Sequence, residues 1–311
     1  TGGKIWSSAY DRTLSAAELF QIQDGISQSI VAAIADEYGV ISQLTRERSR
    51  QDTTSLSSYE CVLRAYQYFE YFTEANHLVA RDCLEEAVQD DPQYAEAWGW
   101  LAILYSNEHL WNFNLREDPL GRSLRAADTA IGADRHSQMA WEGKAAAHFF
   151  RGEREEFHRA AQKAISINPN DVSTIGNIGW YYSNLGEYDQ ALPLMDKALL
   201  LSPFPPTWYY QPYWQKHYAD EDFEAALKYA LKAQVPFWYS DMMLASTHAQ
   251  LGNEGQAASN LQKMLESNSD AVSAFYPMAS GLHWPDGFTE KVAEGLERAG
   301  LEIPNANETA D

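Results

Sequence analysis

The chain predicts an all-α fold, a stack of antiparallel helix hairpins, and three observations carry that expectation. Prolines recur at a fixed interval: Pro169 and Pro203 lie 34 residues apart, and Pro92 precedes Pro169 by 77, two such periods plus nine residues. Small residues recur in register, among them Ala102, Ala161, Gly179 and Ala198, where two helices must approach closely, with large apolar residues beside them. Glycines that can end a first helix in the left-handed conformation fall between the small-residue clusters, at Gly152, Gly186 and Gly252. A single hairpin cannot bury its apolar face, so successive hairpins must stack on one another.

Taken in order, the chain opens differently. Lys4 to Arg12 reads as a strand or extended piece. Ser15 and Glu18 then form a capping box that starts a helix with Leu19, Ile22, Ile26, Ile30 and Ile34 on one face, and Gly39 stops it. These make an N-terminal segment over 1–45, followed by a polar, charged linker over 46–57. The hairpin array is expected over 58–269. Its first hairpin has Ala65, Tyr66 and Phe69, then Ala80, Leu84, Ala87 and Pro92, with a lengthened turn. The second has Trp98, Leu101, Ala102 and Tyr105 in one helix and Ser123, Ala127 and Ala130 in the other, with Arg135 in the proline place. The nine extra residues are expected in an enlarged loop from Ser106 to Leu120. The third pairs Trp141, Ala145 and His148 with Phe157, Ala161, Ala164 and Pro169; the fourth pairs Ile178, Gly179 and Tyr182 with Ala191, Met195, Ala198 and Pro203. Tyr213, Trp214 and His217 with Ala226, Ala230 and Ala233 make the fifth, and Ala245, Gly252, Ala257 and Leu261 mark a sixth. Residues 270–311 are left for capping helices and a polar tail from Asn305 to Asp311.

These positions resemble the tetratricopeptide-repeat (TPR) family, whose 34-residue unit carries W-x2-LG-x2-Y, then A-x3-F-x2-A, then P. Six units from Ser58 to about Asp270 agree with it, with departures such as Ile175 at the first Trp place and Pro212 early in a first helix. The resemblance implies a right-handed superhelix whose first helices line a concave groove. The opening IWSSAYDR and LFQIQDGISQSIVAAI, with the closing FTEKVAEGLERAGLEIP, resembles the TolB-like and TPR region of bacterial signalling proteins. That likeness implies a regulatory C-terminal part whose parent carries a class III adenylate cyclase or winged-helix DNA-binding domain upstream.

Hydrophobic residues are 45% and charged residues 22%, an ordinary globular composition. A net charge of −21 disfavours nucleic acid and anionic membrane surfaces, and favours a neutral or basic protein or peptide partner. No apolar run reaches the ~20 residues of a membrane span, and no secretory signal opens the chain, so membrane insertion is not expected. Cys61 and Cys83 fall on the two helices of the first hairpin, at unequal distances from its turn, and read as buried free thiols of a reducing, cytoplasmic protein.

The chain itself is expected to be non-catalytic. There is no nucleotide-binding glycine loop and no HExxH; Glu155 and His158 have metal-site spacing, but such sites need two copies. No cofactor or metal is implied. What remains is the groove. Carried over from the family, its partner-binding positions are Asn107, Phe149, Trp180, Asn184, Trp208, Gln211, Gln215 and Tyr218, with Asn177 one place beyond a groove position. Met139, Glu142, Phe150, Tyr239 and Met242 lie on the same mapping. Carboxamides bond a peptide backbone without imposing a sequence, and aromatics supply area with few rotors. No Lys or Arg is among them, so capture of a C-terminal carboxylate is not expected. The rings of Phe204 to Trp214 either make a patch for a partner or plug the groove from within. Rival readings are part of an adenylate cyclase lacking its catalytic domain, and a small-molecule sensor.

Overall fold

Five first helices give way to a residue with positive φ, at Phe72, Gly152, Gly186, Glu221 and Gly252, and the helix that follows begins two residues later. The computed structural model describes residues 58–202, 204–235 and 238–302. The expected N-terminal segment, the linker, Pro203 and the tail from Asn305 to Asp311 lie outside them. The described part is all-α, with fourteen α-helices and one short 3-10 helix. They are α1 (Ser58–Tyr71), α2 (Glu74–Asp90), α3 (Ala95–Trp111), α4 (Pro119–Ala133), α5 (Gln138–Phe150), α6 (Arg154–Ile167) and α7 (Val172–Asn184). After them come α8 (Tyr188–Leu201), the 3-10 helix Thr207–Tyr210, α9 (Gln211–Ala219), α10 (Phe223–Ala230), α11 (Tyr239–Gln250), α12 (Glu254–Ser267), α13 (Ala271–Gly281) and α14 (Asp286–Arg298). No strand occurs among the described residues.

The chain forms two units. The first runs to Asn177 and takes back Asp196–Pro205; the second holds Ile178–Met195 and the chain from Pro206 onward.

In the first unit the turns between hairpins are built by side chains as much as by proline. Asp91, Asp134 and Asn168 each accept the backbone N–H two residues on, at 3.0, 2.8 and 3.1 Å. Trp98 and Trp141 then donate their indole N–H to the carbonyls of Pro92 and Arg135, at 3.1 and 3.0 Å. This explains why Arg135 can stand in the proline place: Asp134 and Trp141 hold the turn. Thr73, Asp118 and Ser137 cap the N-termini of α2, α4 and α5, each satisfying a backbone N–H that has no partner inside its helix. Neighbouring first helices touch at backbone distance. A Cβ on Gly143 would lie 2.9 Å from the Gly99 carbonyl oxygen and 2.8 Å from the Ala102 Cβ.

Three sequence expectations need correction here. The first hairpin has no lengthened turn, because only Phe72 and Thr73 separate α1 from α2. Cys61 and Cys83 are therefore nearly level across the hairpin, with Cα atoms 5.3 Å apart, and they form a disulfide rather than two free thiols. The bridge removes the thiol argument for a reducing compartment. The inserted residues of the second hairpin are also shared differently: α3 continues to Trp111, and the loop is only 112–118.

That loop is held by a buried charge cluster. The Glu108 carboxylate, fully enclosed, accepts from Arg81 at 3.0 Å and from the Arg122 guanidinium, and takes the Arg116 N–H at 3.3 Å. Arg81, itself 1% exposed, also reaches the Asn114 carbonyl at 2.8 Å and Asp82. His77 contacts the Leu104 carbonyl oxygen through Nε2 at 3.0 Å, and burial, the largest influence on it, pushes its pKa down, so the ring stays neutral and donates there.

Candidate partner-binding site

Four of the expected site residues meet in the second unit because equivalent places on successive first helices recur about 30 residues apart. Trp180 on α7 donates its indole N–H to Gln211 Oε1 on α9 at 3.1 Å, and Gln211 donates onward to the Tyr239 hydroxyl on α11 at 2.9 Å. One turn along, Ser183 donates to Gln215 Oε1, and Gln215 Nε2 donates to Asn184 Oδ1 at 3.0 Å. Asn184 Nδ2 returns to the Trp180 carbonyl at 2.8 Å. Each carboxamide donates through its nitrogen and accepts through its oxygen. The rows form a continuous buried ladder in which Asn184 and Gln215 are fully enclosed.

Tyr218 is fully buried as well, and its hydroxyl donates to the Lys291 carbonyl at 3.1 Å. Burial pushes its pKa up to about 12 and raises that of Tyr239 well above the ordinary phenol value, so both phenols stay protonated. Trp180 and Trp208 are half-buried. Trp208 sits on the 3-10 helix with its ring packed edge-on to Tyr209 at 4.4 Å. Trp214 and Tyr213 are buried, Trp214 donating to Thr247 at 3.0 Å and Tyr213 stacking on Tyr229 at 4.9 Å.

The remaining expected residues belong to the first unit. Asn177 is half-buried and donates to Glu142 Oε1 at 2.8 Å, while Thr174 donates to the other oxygen at 2.5 Å. Glu142 is 1% exposed, so these bonds are what make its burial tolerable. Phe149 is buried against Phe150 and Phe157, and Asn107 is buried on α3 beside Tyr68. The structure thus gathers Trp180, Asn184, Gln211 and Gln215 into one network, while Tyr218 bonds Lys291, Trp208 packs on Tyr209, and Asn107, Phe149 and Asn177 belong to the first unit.

Trp284, which the sequence reading passed over, completes the network. Its indole N–H donates to Asn184 Oδ1 at 2.8 Å, although the residues are 100 apart in sequence. Beside it α14 packs against α9 and α11, with Phe288 edge-on to Trp214 at 5.7 Å and to Tyr218 at 6.1 Å. The available signal was Trp284-Pro285 directly before a helix with Phe288, Val292 and Leu296 at spacing four.

Among the described residues no group of three or more His, Cys, Asp or Glu is placed to hold a metal ion. No described helix is long and apolar enough to cross a membrane.

Residues 160–192 match the family profile of the tetratricopeptide repeat. The chain is 29% identical over 137 residues to putative adenylate cyclase 3 of Rhizobium meliloti, covering 43% of this chain and 22% of that protein. It is 27% identical over 128 residues to anaphase-promoting complex subunit 3 of Schizosaccharomyces pombe, covering 41% of this chain and 18% of that one. The matched stretch is therefore less than a quarter of either relative. Among solved structures it resembles the Cut9–Hcn1 hetero-tetramer of the anaphase-promoting complex, with a TM-score of 0.54 and 13% identity over 92% of this chain and 58% of that one. Together with the hairpin geometry, these likenesses support a TPR-repeat protein, a fold consistent with protein–protein interaction.

Proposed function

We propose that this chain is a scaffold that binds a neutral or basic polypeptide on the inner face of its first helices. The observation that carries the reading is the bonded ladder beneath Trp180. It fixes an aromatic residue through Gln211 and leaves that residue only partly buried, so little rotor freedom remains to be lost on binding. Trp208, half-buried beside Tyr209, is a second aromatic contact candidate. Asn184, Gln211, Gln215 and Tyr218 serve as the support that positions these rings, and they are buried while α14 is docked. In the first unit Asn177 offers a half-buried carboxamide, oriented by Glu142, while Asn107 and Phe149 are supporting residues of the same kind. The net charge of −21 sets the preference for a neutral or basic partner.

A displayed library of random peptides, selected against the full chain and against a Trp180→Ala, Trp208→Ala double variant, tests this. The full chain should enrich neutral or basic sequences, and the variant should lose at least about tenfold of that affinity while its helical content is retained. Equal enrichment by both proteins, or enrichment of acidic peptides, would sink the assignment.

A second reading is favoured by the 137-residue likeness to a putative adenylate cyclase. In it the chain is a regulatory part of a longer bacterial signalling protein of the TolB-like, cyclase or winged-helix type, and the output domain lies elsewhere in the parent. A cyclase or DNA-binding domain in the same reading frame supports it, and a frame without any output domain refutes it.

A further inference from the structure

The inner face of the second unit already holds a helix, the chain's own α14. We infer that α14 is a resident, displaceable occupant, and that the partner for this face is a helical peptide of the same chemistry. Such a peptide has a Trp-Pro start, apolar residues at spacing four, and one cation on its flank. The inference rests on the polypeptide-binding reading and names its ligand class and its regulation.

Three observations lead there. First, the contacts are those of a ligand in a groove. Trp284 donates to Asn184, Phe288 packs between Trp214 and Tyr218, and the Lys291 ammonium donates to the Ala219 carbonyl at 2.7 Å while pairing with Glu221 at 2.7 Å. The Lys291 carbonyl accepts from Tyr218, so both ends of that residue are read. Second, the crossing point is built for close approach. A Cβ on Gly295 would lie 2.4 Å from the Tyr218 hydroxyl and 2.9 Å from the Ser246 carbonyl oxygen, so only glycine fits there.

Third, α14 is a poor helix on its own. It spans only 13 residues and contains Gly287 and Gly295, each of which lowers helix propensity. Its helical state therefore depends on docking, and release and unfolding are coupled. Its outer face carries Glu290, Glu294 and Glu297, exposed acids in a chain whose net charge is already −21, so a less acidic helix of the same pattern meets less repulsion.

The test uses the full chain and a fluorescent synthetic peptide identical to residues 282–300. Gly295→Ala in the full chain raises the intrinsic helicity of α14 but blocks its seat, so it evicts the resident helix without weakening it as a helix. Lys291→Glu loosens α14 from its exposed edge and leaves the core untouched. Hydrogen exchange over 286–298 reports docking, and anisotropy reports capture of the peptide. Wild type should show a protected α14 and weak capture, because the tethered helix competes at high effective concentration. Both variants should lose protection and bind the added wild-type peptide at least about tenfold more tightly, while a peptide carrying Gly295→Ala should not bind.

If α14 is deprotected in either variant, with the rest of the chain still helical, and the peptide is not captured, the inference is overturned. Equal capture by wild type and both variants overturns it too, as does an α14 that stays protected in both. The peptide-library selection above remains a separate readout: enrichment dependent on Trp180 without capture of the α14 peptide would reject this inference alone.

Discussion

Replacing Glu108 by alanine should remove the anion around which the second hairpin and its inserted loop are organised. The carboxylate is fully buried and takes donors from Arg81, Arg122 and the Arg116 backbone. After the change Arg122, whose side chain is 20% exposed, can regain water, but the Arg81 side chain at 2% cannot. Breaking a buried pair in this way costs about 3–5 kcal/mol. Arg81 keeps its bonds to Asp82 and to the Asn114 carbonyl, which places the expected cost near the lower end, about 3 kcal/mol. For a chain of this size that corresponds to a melting decrease of roughly 6–12 °C, read by calorimetry on the transition of the first unit. Trypsin should also cut faster at Arg116, because Glu108 no longer holds its backbone. An exposed pair serves as reference: Arg125→Ala breaks the Arg125–Asp118 contact, with side chains 66% and 56% exposed, and should leave the melting temperature nearly unchanged. If Glu108→Ala lowers it no more than that, the cluster does not organise the loop and the reasoning fails.

Three further outcomes are expected. Replacing Cys61 by serine, or reducing the bridge, should lower stability by about 3 kcal/mol, the chain-entropy value for a closed loop with a separation of 22 residues; denaturant titration with and without reductant measures it. Gly186→Ala and Gly252→Ala impose the same strain, since both glycines have φ of +73°, but only at Gly186 would the new Cβ meet Pro285, at 2.8 Å. Both should cost about 1–2 kcal/mol, the first more than the second, and equal costs would show that the Pro285 contact gives way freely. Acidification should weaken the first unit through His77. Its folded pKa lies below the ordinary 6.5, so the unfolded chain binds the proton first. The stability from neutral His77 is complete above that value and falls as pH drops below it, and melting followed from pH 7 to 5 should lose part of its slope in a His77→Gln variant.

The hairpins were legible because their signals are local. Pro92, Pro169 and the turn glycines punctuate the chain, and small residues such as Gly179 recur at a set distance from them; at Gly179 an added Cβ would come within 2.7 Å of the Met195 sulfur. Where the period was broken, the sequence could count the extra residues but not divide them. Residues from Ser106 to Trp111 joined α3 because Glu108 and Asn107 found buried surroundings there. The candidate site was legible as a list of polar and aromatic places. Their state was not: Asn184 and Gln215 are as consistent with an open groove as with a sealed ladder until their partners are known.

By itself, then, the sequence determined the helices of the hairpin array and their order in antiparallel pairs, since these follow from spacings of three, four and about 34 residues along the chain. Only the tertiary structure decided the Cys61–Cys83 bridge, the charge cluster around Glu108 and the occupation of the second unit by α14. The bridge depends on the length of a turn, to the residue, and the cluster joins α2, α3 and α4. The bond from Trp284 to Asn184 spans 100 residues and requires every intervening helix to be in place. No local pattern encodes such a sum of small rotations, so what covers the inner face had to be seen in three dimensions.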